Sequence, residues 1–139
     1  MKHFYVEPEV AGGLGENTVM DIGVHPPLVT KLHYEMDGWL GDVLLESFPC
    51  FIVTSLTRRR LQEAQLSGVS FDDVEVTRSS QFDDIYPGRE LPEFAWLKPA
   101  GVAGEDDFGA SPDSVLVVSE RALGLLQEIG IPNASVKEF

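Results

Sequence analysis

An α+β fold, with a mixed or mainly antiparallel sheet carrying two main helices on one face, follows from three features of the sequence. Residues 51–53 and 116–118 are short apolar runs, each closed by a hydroxyl residue, Thr54 or Ser119, and each followed by a segment containing Leu-Gln-Glu. Residues 28–36 alternate Leu28, Thr30, Leu32, Tyr34 and Met36 against Val29, Lys31, His33 and Glu35, the period of a half-exposed strand. Residues 86–112 contain Pro87, Pro92, Pro99 and Pro112 with four glycines, which leaves room for little regular helix. A chain of 139 residues suits one globular domain, 1–139, because that length buries about two thirds of its unfolded surface in a single core.

Taken in chain order, residues 3–6 read as a short strand and residues 11–16 (AGGLGE) as a glycine-rich loop. The alternating stretch at 28–36 ends in a turn at Asp37-Gly38-Trp39. His33 falls on its more polar face. The apolar run at 51–53 reads as a buried strand feeding a helix over 55–66, with Thr54 as the capping hydroxyl that accepts a first-turn N–H. Residues 74–79 make a further strand with Val74 and Val76 on one face, and residues 93–98 (EFAWLK) an edge strand. The run at 116–118 with Ser119 then repeats the strand-to-helix junction, and Ala122, Leu125, Leu126 and Ile129 form the apolar stripe of a helix over 120–129.

These two junctions align at a constant offset of 65 residues, Thr54 with Ser119 and Leu61-Gln62-Glu63 with Leu126-Gln127-Glu128. After a three-residue shortening, Gly68, Val69 and Val74 meet Gly130, Ile131 and Val136. Gly68 and Gly130 then read as the left-handed residues that end each helix. The chain is thereby predicted to contain two similar units, at about residues 50–76 and 115–139, with Leu61 and Leu126 packed on the same sheet.

Charge narrows the functional classes. The net charge is −13, and residues 72–113 hold 11 Asp and Glu against Arg78, Arg89 and Lys98, so most of the surplus lies between the two units. Nucleic acid is excluded as a partner, because holding a phosphate backbone requires clustered Lys and Arg. The one basic run, residues 58–60, spreads around a helix and reads as a solvated face. No residues 18 or more long are apolar enough for a membrane span, and the opening residues carry charges in place of a signal sequence, so a cytoplasmic protein is expected.

No catalytic or metal constellation stands out. Gly12–Gly15 lacks the Gly-Lys-Ser/Thr of a phosphate loop, Asp107-Phe108-Gly109 lacks every other kinase element, and Glu105-Asp106-Asp107 lacks the spacing of a calcium loop. Cys50 stands alone and reads as a buried structural cysteine; His3, His25 and His33 have no metal-ligand spacing and read as surface or structural histidines. No cofactor is expected.

The segments SVLVVSERALGLLQEIGIPNASVKEF and WLKPAGVAGEDDFGASPD resemble the ends of bacterial polymorphic-toxin immunity proteins, notably myxobacterial ones. These close on an apolar strand, an SER-type helix start and a Leu-Leu-x-x-x-Gly-Ile helix end. VEVTRSSQFDDIYPGRELPEFAWLK is similar to a related myxobacterial group with paired CxxCG motifs, which this chain lacks, so no zinc site is carried over. The resemblance covers residues 50–139 and leaves residues 1–40 unassigned.

It implies a protein that binds and silences a cognate toxin domain, itself basic, without catalysis. An acidic surface would speed capture of such a partner, with an aromatic anchor nearby. The expected contacts are Asp83, Asp84, Tyr86, Trp96, Glu105, Asp106 and Asp107. The three consecutive carboxylates at 105–107 are expected to be exposed and to matter little for stability. The alternatives are a structural or regulatory module of a larger assembly, and a small enzyme built on scattered carboxylates. The oligomeric state is left open.

Overall fold

The computed structural model describes residues 2–139. β1 (His3–Glu7) is followed by β2 (Gly12–Leu14), β3 (Val19–Asp21), β4 (Leu28–Lys31) and β5 (His33–Met36). β6 (Leu44–Ser47) and β7 (Cys50–Thr54) lead into α1 (Ser55–Glu63), then β8 (Val69–Asp72), β9 (Glu75–Arg78) and a short α2 (Ser80–Ile85). β10 (Phe94–Pro99), β11 (Phe108–Ala110) and β12 (Leu116–Ser119) precede α3 (Glu120–Ile129) and β13 (Ser135–Glu138). The fold is α+β, and its strand pairs are antiparallel except β5 with β9.

Each helix begins where a hydroxyl caps it. Thr54 accepts from the Thr57 N–H, Ser119 from Ala122 and Ser79 from Phe82, all at 3.2 Å, so each satisfies a first-turn donor that has no partner within its helix. The cap at Ser79 announces α2, a helix that the proline-rich composition just downstream obscures. The glycine-rich loop likewise contains a strand, because β2 pairs with β5. The 28–36 run is two strands in different sheets, separated at Leu32.

The two units have one plan. β6-β7-β10-β8 form one four-stranded sheet and β11-β12-β1-β13 another. In each, a strand leads into a helix and a return strand, and a third strand inserts antiparallel between those two. Thr54 pairs with Phe94 as Ser119 pairs with His3; Leu97 pairs with Phe71 as Val6 pairs with Val136. The offset of 65 therefore persists into the return strands, Phe71 matching Val136, and the three-residue shortening is an error of sequence alignment. EFAWLK is correspondingly no edge strand: β10 lies between β7 and β8.

Constant offset also relocates one helix stop. Gly130, at φ +136°, follows α3, but its counterpart is Gln65, at φ +54°, and not Gly68. Gly68 is left-handed as expected, at φ +76°, but serves a close approach rather than a helix end: a Cβ there would lie 2.3 Å from the Phe108 carbonyl oxygen. Since the left-handed region strains any residue with a side chain, Gln65→Gly is expected to stabilise the protein by up to about 1 kcal/mol. Denaturant unfolding would show it as a higher midpoint at unchanged slope.

Leu61 and Leu126 are both fully buried, but not on one sheet. They meet in a core between the two four-stranded sheets, with Phe51 and Val53 from β7, Leu116 and Val118 from β12, and Val6, Leu97 and Phe108. A second core, with Tyr34, Met36, Ile52, Phe82 and Trp96, joins the three-stranded sheet β2-β5-β9 to the other face of β7 and β10. Alternating residues of β7 thus serve two cores, which is why this strand is apolar throughout. Cys50 belongs to the second core, where burial pushes its thiol up to about 12. His33 is buried too, against the expectation of a polar face, since residues 15–18 cover it: its ring bonds Thr77 Oγ1 at 2.7 Å and accepts from the Asn17 N–H.

Candidate functional site

The residues expected to contact a partner fall into two groups that no shared cluster joins. Asp83 and Asp84 are exposed on α2, and Tyr86, half-buried at its end, packs its ring at a tilt against Phe82. The Arg89 guanidinium lies 4.7 Å from the Tyr86 ring and 4.6 Å from Trp39. Trp96 is only 5 % exposed and sits in the second core, with Lys98 over its ring, so it anchors the interior and offers nothing to a partner.

In the second group, Glu105 is exposed, while Asp106 accepts the Val102 N–H at 2.7 Å and turns the loop. Asp107 is buried, contrary to the expectation of an exposed carboxylate. Its oxygens accept from the Ser119 hydroxyl at 2.6 Å, the Ser67 N–H at 2.9 Å, and Arg121 Nε and Nη2 at 3.1 and 2.9 Å. The Arg121 guanidinium foremost, then the Ser119 and Ser67 donors, hold this carboxyl well below the usual carboxylate range against the opposing effect of burial. Asp107 ties the α1–β8 connection to the start of α3, a structural role.

Concavity and unpaired charge meet elsewhere, where the end of β1, the β6–β7 turn and the loop before β12 converge. A cavity of about 810 Å³ is lined there by Glu7, Glu9, Glu46 and Asp113 and by no Lys, Arg or His. A neighbouring hollow of about 420 Å³ shares Glu9, Val10 and Leu40 with it and extends to Asp37, Ile85 and Tyr86. Val10, Leu40, Phe48 and Ile85 on these walls are 67, 69, 48 and 52 % exposed, an apolar rim on an acidic hollow. Of the expected contacts, Tyr86 lines this face, whereas Trp96 and residues 105–107 lie outside it.

The carboxylates have different tasks. Glu9, buried, accepts the Leu40 and Asp42 N–H groups at 2.6 and 3.2 Å, and Asp42, also buried, accepts two bonds from Asn133 at 2.9 and 2.7 Å. Both hold the surrounding loops together. Among the described residues, Glu7, Glu46 and Asp113 find no side-chain hydrogen-bond or ion-pair partner. Burial first, and then the nearby Glu7 charge, pushes Glu46 up to about 7.

A carboxyl with a raised folded-state pKa holds its proton in the native protein while the unfolded chain releases it. No effect on stability exists below the unfolded value, and destabilisation grows as pH rises from there through about 7. Because Glu46 is only half-buried and solvent screens part of this penalty, Glu46→Gln is expected to stabilise the protein by about 1 kcal/mol at about pH 8 and by little at about pH 4. Thermal melts at the two pH values measure it. Ion pairing would give the opposite sign.

Sequence reading missed Glu7, Glu46, Asp113, Leu40 and Phe48 because they come from separate loops with no common spacing. The available signal was a large apolar residue inside each turn segment, as in GWLGD and SFPC, where turns are ordinarily polar. Among the described residues, no three His, Cys, Asp or Glu side chains come together to hold a metal, and no helix is long and apolar enough to cross a membrane. Compared with known protein families and with curated proteins, the chain shows no significant match to any.

Proposed function

We propose that this protein is an immunity protein that binds a basic toxin domain and blocks its action by occupying it. One observation carries the reading: a single concave face combines four carboxylates, no basic side chain and an exposed apolar rim. Exposed charge speeds encounter with an oppositely charged partner, while apolar anchors slow its release. Burying Val10, Leu40 and Phe48 would also remove apolar surface from water that the free protein leaves wet.

The test is protection. Co-expression with a growth-arresting toxin that ends in a basic C-terminal domain, sought in the reading frame next to this gene, is expected to restore growth and to give a stoichiometric complex. Leu40→Asp is expected to raise the dissociation rate at least about tenfold, the scale of one lost apolar anchor, with the melting temperature unchanged. Growth arrest despite full expression of the folded protein would refute the reading.

A structural-module reading is favoured by a different feature. The ribbon of β3 and β4 exposes Val19, Met20, Ile22, Val24 and Leu28, each at least 42 % accessible. Capture of the intact protein in a stable assembly, lost on replacing Ile22 and Val24 by Ser and unaffected by Leu40→Asp, would support it.

A further inference from the structure

We propose that the hollow between β1 and β6 is the seat of an arginine side chain of a protein partner, held by Glu7 and Glu46 with Ser47 and Ser114. This deepens the proposed function, on which the identity of the partner rests. Two independent observations lead to it. The first is a set of carboxylates on the cavity wall, Glu7, Glu46 and Asp113, with no cation among the lining residues. The second is a pair of hydroxyls. Ser47 and Ser114 are 8 and 7 % exposed, both line the cavity, and neither side chain has a hydrogen-bond partner among the described residues. Among the described residues no side-chain oxygen or nitrogen is both unbonded and shut off from solvent, so each hydroxyl keeps a small accessible remainder, which for Ser47 opens on this cavity and for Ser114 on this cavity or the neighbouring one that it also lines.

Such an array is rich in acceptors. A guanidinium presents five N–H donors in a planar fork, matching two carboxylates and adjacent hydroxyl oxygens, whereas an ammonium offers three from one point. A guanidinium also sheds water more readily, which suits a partly enclosed site. Phe48, on the same wall and half-exposed, supplies an aromatic surface for its planar face, in the way that Tyr86 and Trp39 flank Arg89 within the protein itself. Val10 and Leu40 would cover its methylene stem.

Arginine entry favours the ionised carboxylate, so docking expels the proton that Glu46 holds in the free protein near neutral pH. The other groups facing Glu46 are Glu7 from β1, Glu9 from the loop that follows, Asp113 from the loop before β12, and the Tyr34 hydroxyl, which donates to the Glu46 carbonyl oxygen. None is a cation. Acidification therefore weakens docking, by protonating Glu46 first.

N-acetyl-argininamide is the probe, titrated into the isotopically labelled protein and followed by amide chemical shifts. The expected result is a saturable shift confined to residues around Glu7, Ser47, Phe48 and Ser114. N-acetyl-lysinamide should bind more weakly. Affinity should fall from about pH 8 to about pH 6, and the pH dependence should vanish in Glu46→Gln, with about tenfold weaker binding in Glu7→Gln/Glu46→Gln. Equal shifts with the lysine probe, shifts spread over the acidic surface, or unchanged affinity in the double variant would each overturn the seat. The probe assay needs no toxin. Its failure with growth protection intact removes the arginine seat alone, whereas probe binding without protection removes the toxin-neutralising reading and leaves an arginine-recognising face.

Discussion

Asp107→Ala is expected to destabilise the protein by about 3 kcal/mol, toward the lower end of what breaking a buried ion pair costs. The carboxyl accepts five hydrogen bonds from Ser67, Ser119 and Arg121 through backbone and side-chain donors, and alanine leaves the Ser119 hydroxyl and Ser67 N–H in a poorly hydrated place. Arg121 moderates the loss. Its side chain is 55 % exposed, so the guanidinium returns to water rather than remaining as a buried unpaired charge. A drop in melting temperature of about 10 °C follows for a domain of this size.

The pH dependence separates this mechanism from simple loss of packing. Because the folded-state pKa of Asp107 is depressed, its contribution is fully present above the ordinary aspartate value and disappears as pH falls through that value and below. The variant and the parent should therefore converge in stability toward about pH 2, while Glu105→Gln should match the parent throughout. A deficit that persists undiminished in acid would show that Asp107 acts by shape alone. The neighbouring carboxylates of the Glu-Asp-Asp run are thus unequal: one is exposed, one turns a loop and one joins the two units.

Leu61→Ala and Leu126→Ala are each expected to cost 2 to 5 kcal/mol, estimated as roughly the lost transfer energy plus the cavity left behind. Both side chains are fully buried in the core between the four-stranded sheets, where rigid strands on both sides limit collapse around a void. Either loss is a large fraction of the about 5 to 15 kcal/mol that holds a typical domain folded. Since α1 and α3 pack against each other across this core, the double variant should deviate from the sum of the single effects. Equilibrium denaturation of the four proteins gives the coupling. Strict additivity would mean that the two units unfold as independent cores.

Equivalence of the units was legible because its determinants are local. A β-branched or aliphatic run followed by Thr or Ser specifies a strand that feeds a capped helix within a few residues, wherever the chain places it. The return strands were misaligned since Gly68 looked like a helix stop. Its glycine is required by Phe108, 40 residues away, while Gln65 accepts the strained helix-ending conformation without any compositional sign.

The sequence by itself determined the α+β class, both principal helices, their caps and the strands leading into them, since hydroxyl caps and apolar periodicity act between near neighbours. Only the tertiary structure decided that β10 and β1 insert into corresponding places of two separate sheets, so that Trp96 is interior and Leu61 meets Leu126 across a common core. It also decided the fate of each carboxylate. Asp, Glu and their neighbours carry no mark of burial in the chain; Asp107 becomes a structural tie because Arg121 and Ser119 reach it, and Glu46 becomes a half-buried, unpaired acid because β1 brings Glu7 rather than a cation to its side. Charge interactions fall with distance in space and are indifferent to separation along the chain, so such a site forms only when the fold is complete.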